Sequence, residues 1–180
     1  MTVLLDMAVS LDGCISTPDG EDGGLHDWYF DPTPPSKAVI DELVEGAGAL
    51  LLGRNAFGSG EDVEGWDDSP YLVPHVVVTH RPPATPPGGR IEFAFAPDVA
   101  TGVDMATRAA GDGVVALGGG ADVARQCLAA GLVDEIQLHV VPVVLGGPPL
   151  FGGAVPSLTL TKLRVVDAPN VTHLHYRVDR

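Results

Sequence analysis

The chain has 180 residues, 45% of them hydrophobic, so it is long enough to bury one core and too apolar to be disordered. Its formal net charge is −14, from 10 Lys and Arg against 24 Asp and Glu, and this charge excludes nucleic acid and acidic membrane surfaces as expected partners. No apolar run reaches the roughly 20 residues of a membrane span, and the first residues lack a secretion signal. We therefore expect one cytoplasmic domain over residues 1–180.

The first 46 residues predict a strand, a long loop and a helix. Residues 3–9 are an apolar run typical of a buried strand, and residues 10–24, with four glycines and a proline, predict an irregular loop. Loops of this length in compact domains are often functional. An apolar stripe then predicts a helix over about 37–45, capped by Ser36 and ended by Gly46.

A first glycine corner, defined as Gly53–Asn55, follows the buried strand predicted at 48–52. Gly53 allows main-chain N–H groups to approach a phosphate, and the guanidinium of Arg54 can hold two phosphate oxygens. Arg54 is one of only two basic residues between 19 and 68, against thirteen acidic ones. The corner therefore predicts a phosphate contact that also includes Asn55; a helix start with an exposed arginine is the alternative.

The next elements are a strand at 75–79, a short strand at 91–95 and a helix at 98–110. Thr79 and His80 lie where the first of these strands ends, and ligands of open α/β sheets collect at such ends. The basic pair His80 and Arg81 suits an adenosine 2′-phosphate, which favours NADP over NAD. A polar turn is the alternative interpretation.

A second glycine corner, defined as Gly118–Val123, stands between a strand predicted at 113–117 and a helix predicted at 121–130. Three consecutive glycines exceed what a turn requires, and a helix N-terminus adds free N–H donors and a partial positive charge. A tight turn is the alternative. Two such corners favour one ligand with several phosphates, most simply a dinucleotide. The residues of the second corner are Gly118, Gly119, Gly120, Ala121, Asp122 and Val123.

The tail predicts strands at 134–142, 157–167 and 171–178, arranged as an antiparallel meander with a β-bulge near Thr161–Lys162. Because the earlier part alternates strand and helix, it predicts a largely parallel sheet. The fold class is therefore α/β: a mixed, mostly parallel central sheet with antiparallel C-terminal strands and helices on both faces.

Three smaller features carry weaker indications. Asp12 ends the first strand and is a candidate for contacting substrate or relaying protons, with a simple Asp-Gly turn as the alternative. His173 and His175, with His139 as a conceivable third ligand, are interpreted as a solvated strand face, so no metal is expected. The two cysteines fit structural positions in a reduced compartment.

These elements in this order resemble the dihydrofolate reductase-like superfamily, and most of all the C-terminal reductase domain of the riboflavin-biosynthesis deaminase/reductase. The resemblance spans nearly the whole chain. Its motifs are AVSLDGCI at 8–15, LGRNAF at 52–57, VT at 78–79, LGGG at 117–120, GLVDEI at 131–136, VPVVLGG at 141–147 and LF at 150–151.

The resemblance implies a dimeric reductase that uses NADPH. It implies that the first glycine corner contacts the cofactor phosphates, that Thr79 and His80 lie along the adenosine, and that the second glycine corner wraps the pyrophosphate. The nicotinamide would be bordered by Ala8, Ser10 and Ile15, and the substrate would be faced by Asp12, Trp28 and Phe57.

The leading hypothesis is hydride transfer to a C=N or C=O carbon of a pterin-like or ribosylaminopyrimidine-like molecule, with the loop at 10–24 closing over the nicotinamide. Asp12 is the first candidate for the proton donor, followed by Asp27 and Asp31, and water is a further possibility. Two alternatives stay open: a nucleotide-binding dimer without efficient turnover, and a structural dimer that binds no nucleotide.

Overall fold

The computed structural model describes residues 1–58, 66 and 68–180. The strands are β1 (Val3–Ser10), β2 (Ala47–Gly53), β3 (His75–Val78), β4 (Phe93–Ala96), β5 (Val114–Leu117), β6 (Glu135–Val141), β7 (Leu160–Ala168) and β8 (Val171–Val178). The helices are α1 (Asp27–Phe30), α2 (Pro34–Gly46), α3 (Arg54–Phe57), α4 (Val99–Ala109) and α5 (Ala121–Ala129).

All eight strands form one sheet in the order β4-β3-β2-β5-β1-β6-β8-β7. The six strands from β4 to β6 pair in parallel, whereas β8 pairs antiparallel with both β6 and β7. This arrangement confirms the predicted fold class. The tail is not a meander, however, because β8 lies between β6 and β7 instead of at the edge.

Most predicted elements lie within a few residues of the observed ones, and the register shift between Lys162 and Arg164 confirms the predicted bulge. The second helix begins earlier than predicted, because Pro34 and Pro35 fit the first turn of a helix. Ser36 is therefore not its cap but a buried residue inside the helix. The four-residue helix α1 was not predicted from the sequence.

Helices cover both faces of the sheet. On one face, α4 and α5 pack on the large core cluster that includes Leu5, Leu51 and Leu117, all fully buried. On the other face, α1 and α2 contribute Trp28 and Ile40 to a smaller cluster. None of the helices in the described residues has the length and apolar character that crossing a membrane requires.

Candidate functional site

The two glycine corners lie against each other, because β2 and β5 are neighbours in the sheet. The main-chain N–H of Gly53 donates to the carbonyl of Gly119 at 3.0 Å, and that of Gly118 donates to the carbonyl of Leu51 at 3.3 Å. Both corners stand at the carboxyl ends of parallel strands, where ligands of open α/β sheets bind. The structure thus brings together the two segments on which the dinucleotide hypothesis depends.

The close approach of the corners requires glycine. Gly120 has φ +85°, and a Cβ atom there would lie 3.2 Å from the Cα of Gly53. A Cβ on Gly119 would lie 2.6 Å from the Cβ of Ala56, which is too close for any side chain. Gly118 differs, since a Cβ there would meet nothing within 4 Å. The second corner is therefore a main-chain surface that is tightly built on one side and open on the other.

A cavity of about 560 Å³ begins at these corners and continues under α1 and α2. Its floor is the sheet, through Asp6 and Ala8 of β1 and His139 of β6. Its opposite wall is the helical layer, through side chains such as Trp28 and Ile40. Such a volume suits a small heterocycle or part of a nucleotide.

Part of the predicted cofactor set lines this cavity. The lining members are Ala8, Ile15, Asn55, Gly118, Gly119, Gly120 and Ala121. The other members lie outside the lining, namely Ser10, Gly53, Arg54, Thr79, His80, Asp122 and Val123. The lining members therefore include Ala8 on the cavity floor and, at the glycine corners, Asn55 and residues 118–121.

The basic residues lie beyond the cavity. The guanidinium carbon of Arg54 lies 5.5 Å from the centre of the Phe57 ring, a cation–π distance. Thr79 is buried and its Oγ1 accepts from the main-chain N–H of Arg81 at 3.0 Å, whereas His80 is exposed. Their phosphate contacts remain predictions.

Asp12 is held by several hydrogen bonds. Its carboxylate accepts from Ser10 Oγ at 2.5 Å and from the main-chain N–H groups of Leu145 and Gly146 at 3.1 and 2.8 Å. The Ser10 hydroxyl and these main-chain donors lower the pKa of Asp12 well below its usual range. A carboxylate this stable in its ionised form is a poor proton donor, and Asp12 does not line the cavity. These hydrogen bonds give Asp12 a structural role between the two loops, and its catalytic role stays a prediction.

The start of the long loop is fixed to a second loop. Leu11 N–H donates to the carbonyl of Val143 at 2.8 Å, and Ile15 N–H donates to that of Pro148 at 3.0 Å. A Cβ on Gly147 would lie 2.1 Å from the carbonyl oxygen of Ser16, so the two loops touch through their main chains. The later part of the loop contains Gly20, Gly23 and Gly24, and its closure over a ligand stays a prediction.

The two aromatic residues predicted to face the substrate have different surroundings. Trp28 of α1 lines the cavity, and its ring centre lies 4.4 Å from that of His139. Phe57 is 2% exposed and packs among the rings of Trp66, Phe93 and Phe95 at 5.3–5.8 Å. The structure places Phe57 in an aromatic cluster outside the cavity, so it does not support the predicted substrate contact.

The sequence analysis missed a chain of buried polar side chains at the cavity floor. Asp6 Oδ1 lies 2.9 Å from His139 Nε2, His139 Nδ1 lies 2.7 Å from His173 Nδ1, and His173 Nε2 lies 3.0 Å from Ser36 Oγ. The two histidines are 2–3% exposed, which corrects the interpretation of His173 as part of a solvated face. One residue could have indicated these buried polar contacts from the sequence: Asp6, the only charged residue in the apolar run at 3–9.

Burial and charge determine the protonation of this region. Burial, together with the neighbouring His139, lowers the pKa of His173 to about 4, so its ring is neutral near pH 7. Burial also raises the pKa of Tyr71 and of Tyr29, and the negative charge of nearby Asp6 raises both further. The two phenols hydrogen-bond each other. Both phenols therefore stay protonated and can act as donors.

The remaining histidine of the predicted group pairs with an acid. His175 Nε2 lies 2.8 Å from Glu135 Oε2, and both side chains are about a quarter exposed. Among residues 1–58, 66 and 68–180, no three His, Cys, Asp or Glu side chains are placed to hold a metal ion.

A comparison with protein-family models identifies the family described as the RibD C-terminal domain, matched over residues 1–107 and 103–174. This match confirms the resemblance drawn from the motifs. A comparison with curated proteins found no significant match.

Solved structures with the same fold cover nearly the whole chain. One is a protein from Shewanella sp. PV-4 provisionally assigned to riboflavin biosynthesis, with 24% identity, full coverage of both chains and a TM-score of 0.73. Another is the diaminohydroxyphosphoribosylaminopyrimidine deaminase/5-amino-6-(5-phosphoribosylamino)uracil reductase of Thermotoga maritima, with 14% identity and a TM-score of 0.70, covering 99% of this chain and 56% of that one. A third is dihydrofolate reductase from Enterococcus faecalis complexed with NADP(H), with 18% identity, 99% and 97% coverage and a TM-score of 0.62.

Proposed function

The chain belongs to the RibD C-terminal domain family, and we propose that it is an NADPH-dependent reductase of a small heterocyclic substrate. Membership of this family supports an oxidoreductase. The finer assignment depends on one observation: two glycine corners in direct contact open into a cavity of about 560 Å³ floored by ionisable side chains. The corners suit the phosphates of a dinucleotide, and the cavity suits the ring that is reduced.

The residues at the corners fit NADPH. Gly118 leaves open space where a side chain would project, and the first turn of α5 has main-chain N–H groups without helical partners. In an acidic chain, Arg54, Thr79 and His80 would hold the outer phosphates by charge and hydrogen bonds. Ala8, Ser10 and Ile15 would border the nicotinamide, and Asn55 would contact the phosphates beside Arg54. NADPH, when bound, supplies the hydride, and the protein positions the substrate and excludes water.

The substrate we propose is a pterin-like or ribosylaminopyrimidine-like molecule. A pterin ring carries N–H groups and a reducible C=N bond. A ribosylaminopyrimidine carries ring N–H groups, and its ring-opened sugar has the reducible C=N bond at the sugar carbon. To either molecule the cavity offers the Asp6 carboxylate, the Tyr29 phenol and the apolar face of Trp28. The carboxylate accepts N–H donors, and the aromatic side chain packs on a flat ring. Reductases of both substrate types occur among the solved structures of this fold.

The test is a two-step measurement. Titration of the protein with NADPH, followed by cofactor fluorescence, should show saturable binding. Loss of NADPH absorbance is then followed with dihydrofolate and with 5-amino-6-(5-phosphoribosylamino)uracil. Binding with turnover of either substrate supports the proposal. Binding without turnover favours a nucleotide-binding module of the same fold, and failure to bind NADPH would contradict both.

We further propose that the chain is a single-domain homodimer. The edge strand β7 exposes Leu160, Leu163 and Val165 by 37–48%, an apolar row that a second copy would cover. Light scattering should give the mass of two chains. Replacing Leu163 and Val165 by serine should shift the mass toward one chain, whereas the matched change at exposed Leu11 should not.

A further inference from the structure

We propose that Asp6 passes a proton to the substrate and that His139, His173 and Ser36 form the hydrogen-bonded chain that supplies this proton to Asp6. This inference rests on the proposed function and names Asp6, instead of Asp12, as the proton donor. It rests on the geometry of four side chains from three parts of the fold: β1, the β6–β8 pair and α2.

Asp6 is the member of the chain that a substrate can reach. It lines the cavity, and its side chain is 15% exposed. Its Oδ1 accepts from Gln137 Nε2 at 3.0 Å and from His139 Nε2 at 2.9 Å. Among the hydrogen bonds of the described residues none ends on Oδ2, so this oxygen is available to a ligand in the cavity.

The sheet register brings the histidines together. His139 and His173 are directly paired across β6 and β8, and His139 pairs with Ala8, two residues along β1 from Asp6. Side chains two residues apart on a strand share a face, so Asp6 and the His139 ring meet under α2. Trp28 covers both imidazoles, with ring centres 4.4 and 5.0 Å away, and keeps them from water.

One assignment of hydrogens satisfies every contact in the chain. Because His173 is neutral near pH 7, its Nδ1–H donates to His139 Nδ1, and its Nε2 accepts from the Ser36 hydroxyl. His139 then carries its own proton on Nε2 and donates it to Asp6. All three donors therefore point toward the cavity. Thr33, half-buried at the start of α2, donates to Ser36 at 3.4 Å and connects the chain to the surface.

Each bond formed in the transfer is matched by one that breaks. Reduction of a C=N bond places a hydride on carbon and a proton on nitrogen, and NADPH becomes NADP⁺. The electron pair of the C=N π bond moves to nitrogen, which forms an N–H bond with a proton from Asp6. The Asp6 carboxylate first accepts that proton from His139 Nε2 and is a carboxylate again once it has passed the proton on. His139 Nδ1 takes a proton from His173 Nδ1 in turn, and His173 Nε2 takes one from Ser36. The last proton comes from water beyond Thr33.

Other ionisable groups near Asp6 affect this transfer. Tyr29 and Tyr71 face it from α1 and from the segment before β3, and both stay protonated. Arg164 of β7 acts on His173 from the far side and opposes its protonation. His26 lines the cavity but pairs with Asp22 at its rim. These groups lie around the hydrogen-bonded series from Asp6 to Ser36, and none of them replaces a hydrogen-bond partner within it.

The experiment compares Asp6→Asn, His173→Gln and a matched control, His175→Gln. The side-chain amide in D6N keeps an acceptor oxygen for Gln137 and His139, so this variant retains the fold. His175 lies on the same strand as His173, two residues away, but pairs with Glu135 outside the chain. NADPH affinity is measured first in all three variants and should equal that of the wild type.

With whichever of dihydrofolate or 5-amino-6-(5-phosphoribosylamino)uracil is turned over, D6N should lower kcat about 100-fold or more, the usual contribution of a general acid, and change KM far less. H173Q should lower kcat about tenfold and alter its pH profile, and H175Q should leave both unchanged. A D6N variant that raises KM alone, or equal effects of H173Q and H175Q, would overturn the relay.

A second readout does not depend on turnover. Nitrogen-15 NMR of the histidine rings should find the proton of His139 on Nε2 and that of His173 on Nδ1. A His139 ring without a proton on Nε2 has none to give Asp6 and would also overturn the proposal. Failure of NADPH to bind the wild type, by contrast, contradicts the proposed function. In that case the positions of the ring protons found by NMR still test the relay.

Discussion

The two ends of the candidate site are built from different material. At the corner end, the candidate surface is main chain: glycines at the ends of β2 and β5 that touch each other and exclude side chains. At the floor end, it is side chain: the Asp6 carboxylate and the His139 imidazole, with His173 and Ser36 hydrogen-bonded behind them. Main chain suits a group common to many ligands, such as phosphate, whereas side chains suit one particular substrate.

The largest expected effect concerns the floor end and is a pH dependence of stability. Burial lowers the pKa of His173 from 6.5 to about 4 in the folded protein. The unfolded chain therefore binds a proton at higher pH than the folded one, so stability falls as pH drops from about 6.5 to about 4, by about 3 kcal/mol at most. Urea unfolding at several pH values measures this, and H173Q should flatten the curve relative to H175Q.

A slightly smaller effect concerns the corner end and nucleotide affinity. Arg54→Ala should weaken NADPH binding by about 1.5–3 kcal/mol, the scale of a charge-assisted hydrogen bond to phosphate. Fluorescence titration measures the change. Arg108→Ala is the control, because Arg108 is exposed on α4 and pairs with Asp104. If the two variants bind NADPH equally well, Arg54 does not belong to the site.

The third prediction separates the glycines of the second corner. Gly120→Ala puts a side chain at φ +85° and 3.2 Å from Gly53, so the free energy of unfolding should fall by about 1–3 kcal/mol. Gly118→Ala meets nothing within 4 Å and should leave unfolding unchanged. Urea denaturation compares the two, and equal stability would show that the corners need not touch.

The smallest effect concerns Asp12 and the loop at the mouth of the cavity. Asp12→Ala removes the acceptor for two main-chain N–H groups at 145–146 and for Ser10, so proteolysis within residues 11–24 should become several-fold faster. NADPH-dependent turnover, if present, should persist, because the carboxylate lies outside the cavity lining. Complete loss of turnover with normal NADPH affinity would restore Asp12 as a catalytic candidate.

The corner end was predictable from sequence because its signals are local. An apolar run followed by glycine and a helix start specifies a strand, a turn and free N–H groups within ten residues. The adjacency of β2 and β5, which brings the two corners together, was first seen in the structure. Two of the aromatic neighbours of Phe57, namely Phe93 and Phe95, were not predictable, since they lie on β4, more than thirty residues away.

The floor end was not predictable because its contacts are distant in sequence. His139 and Asp6 are separated by 133 positions, and Ser36 and His173 by 137. Sequence periodicity placed His173 on a strand face correctly but did not say that α2 covers it. Only Asp6 was recognisable in the sequence, because it is a charged residue inside an apolar strand. Such a charge is seldom buried without a partner.

The wall opposite the sheet has a consequence for how substrate preference can change. Trp28, Tyr29, Val39, Ile40 and Leu43 all come from one short stretch of chain that includes α1 and α2. Replacing that stretch would exchange the wall opposite the sheet while leaving the glycine corners in place. New substrates could thus be acquired by recombining a cassette of about twenty residues rather than by scattered substitutions.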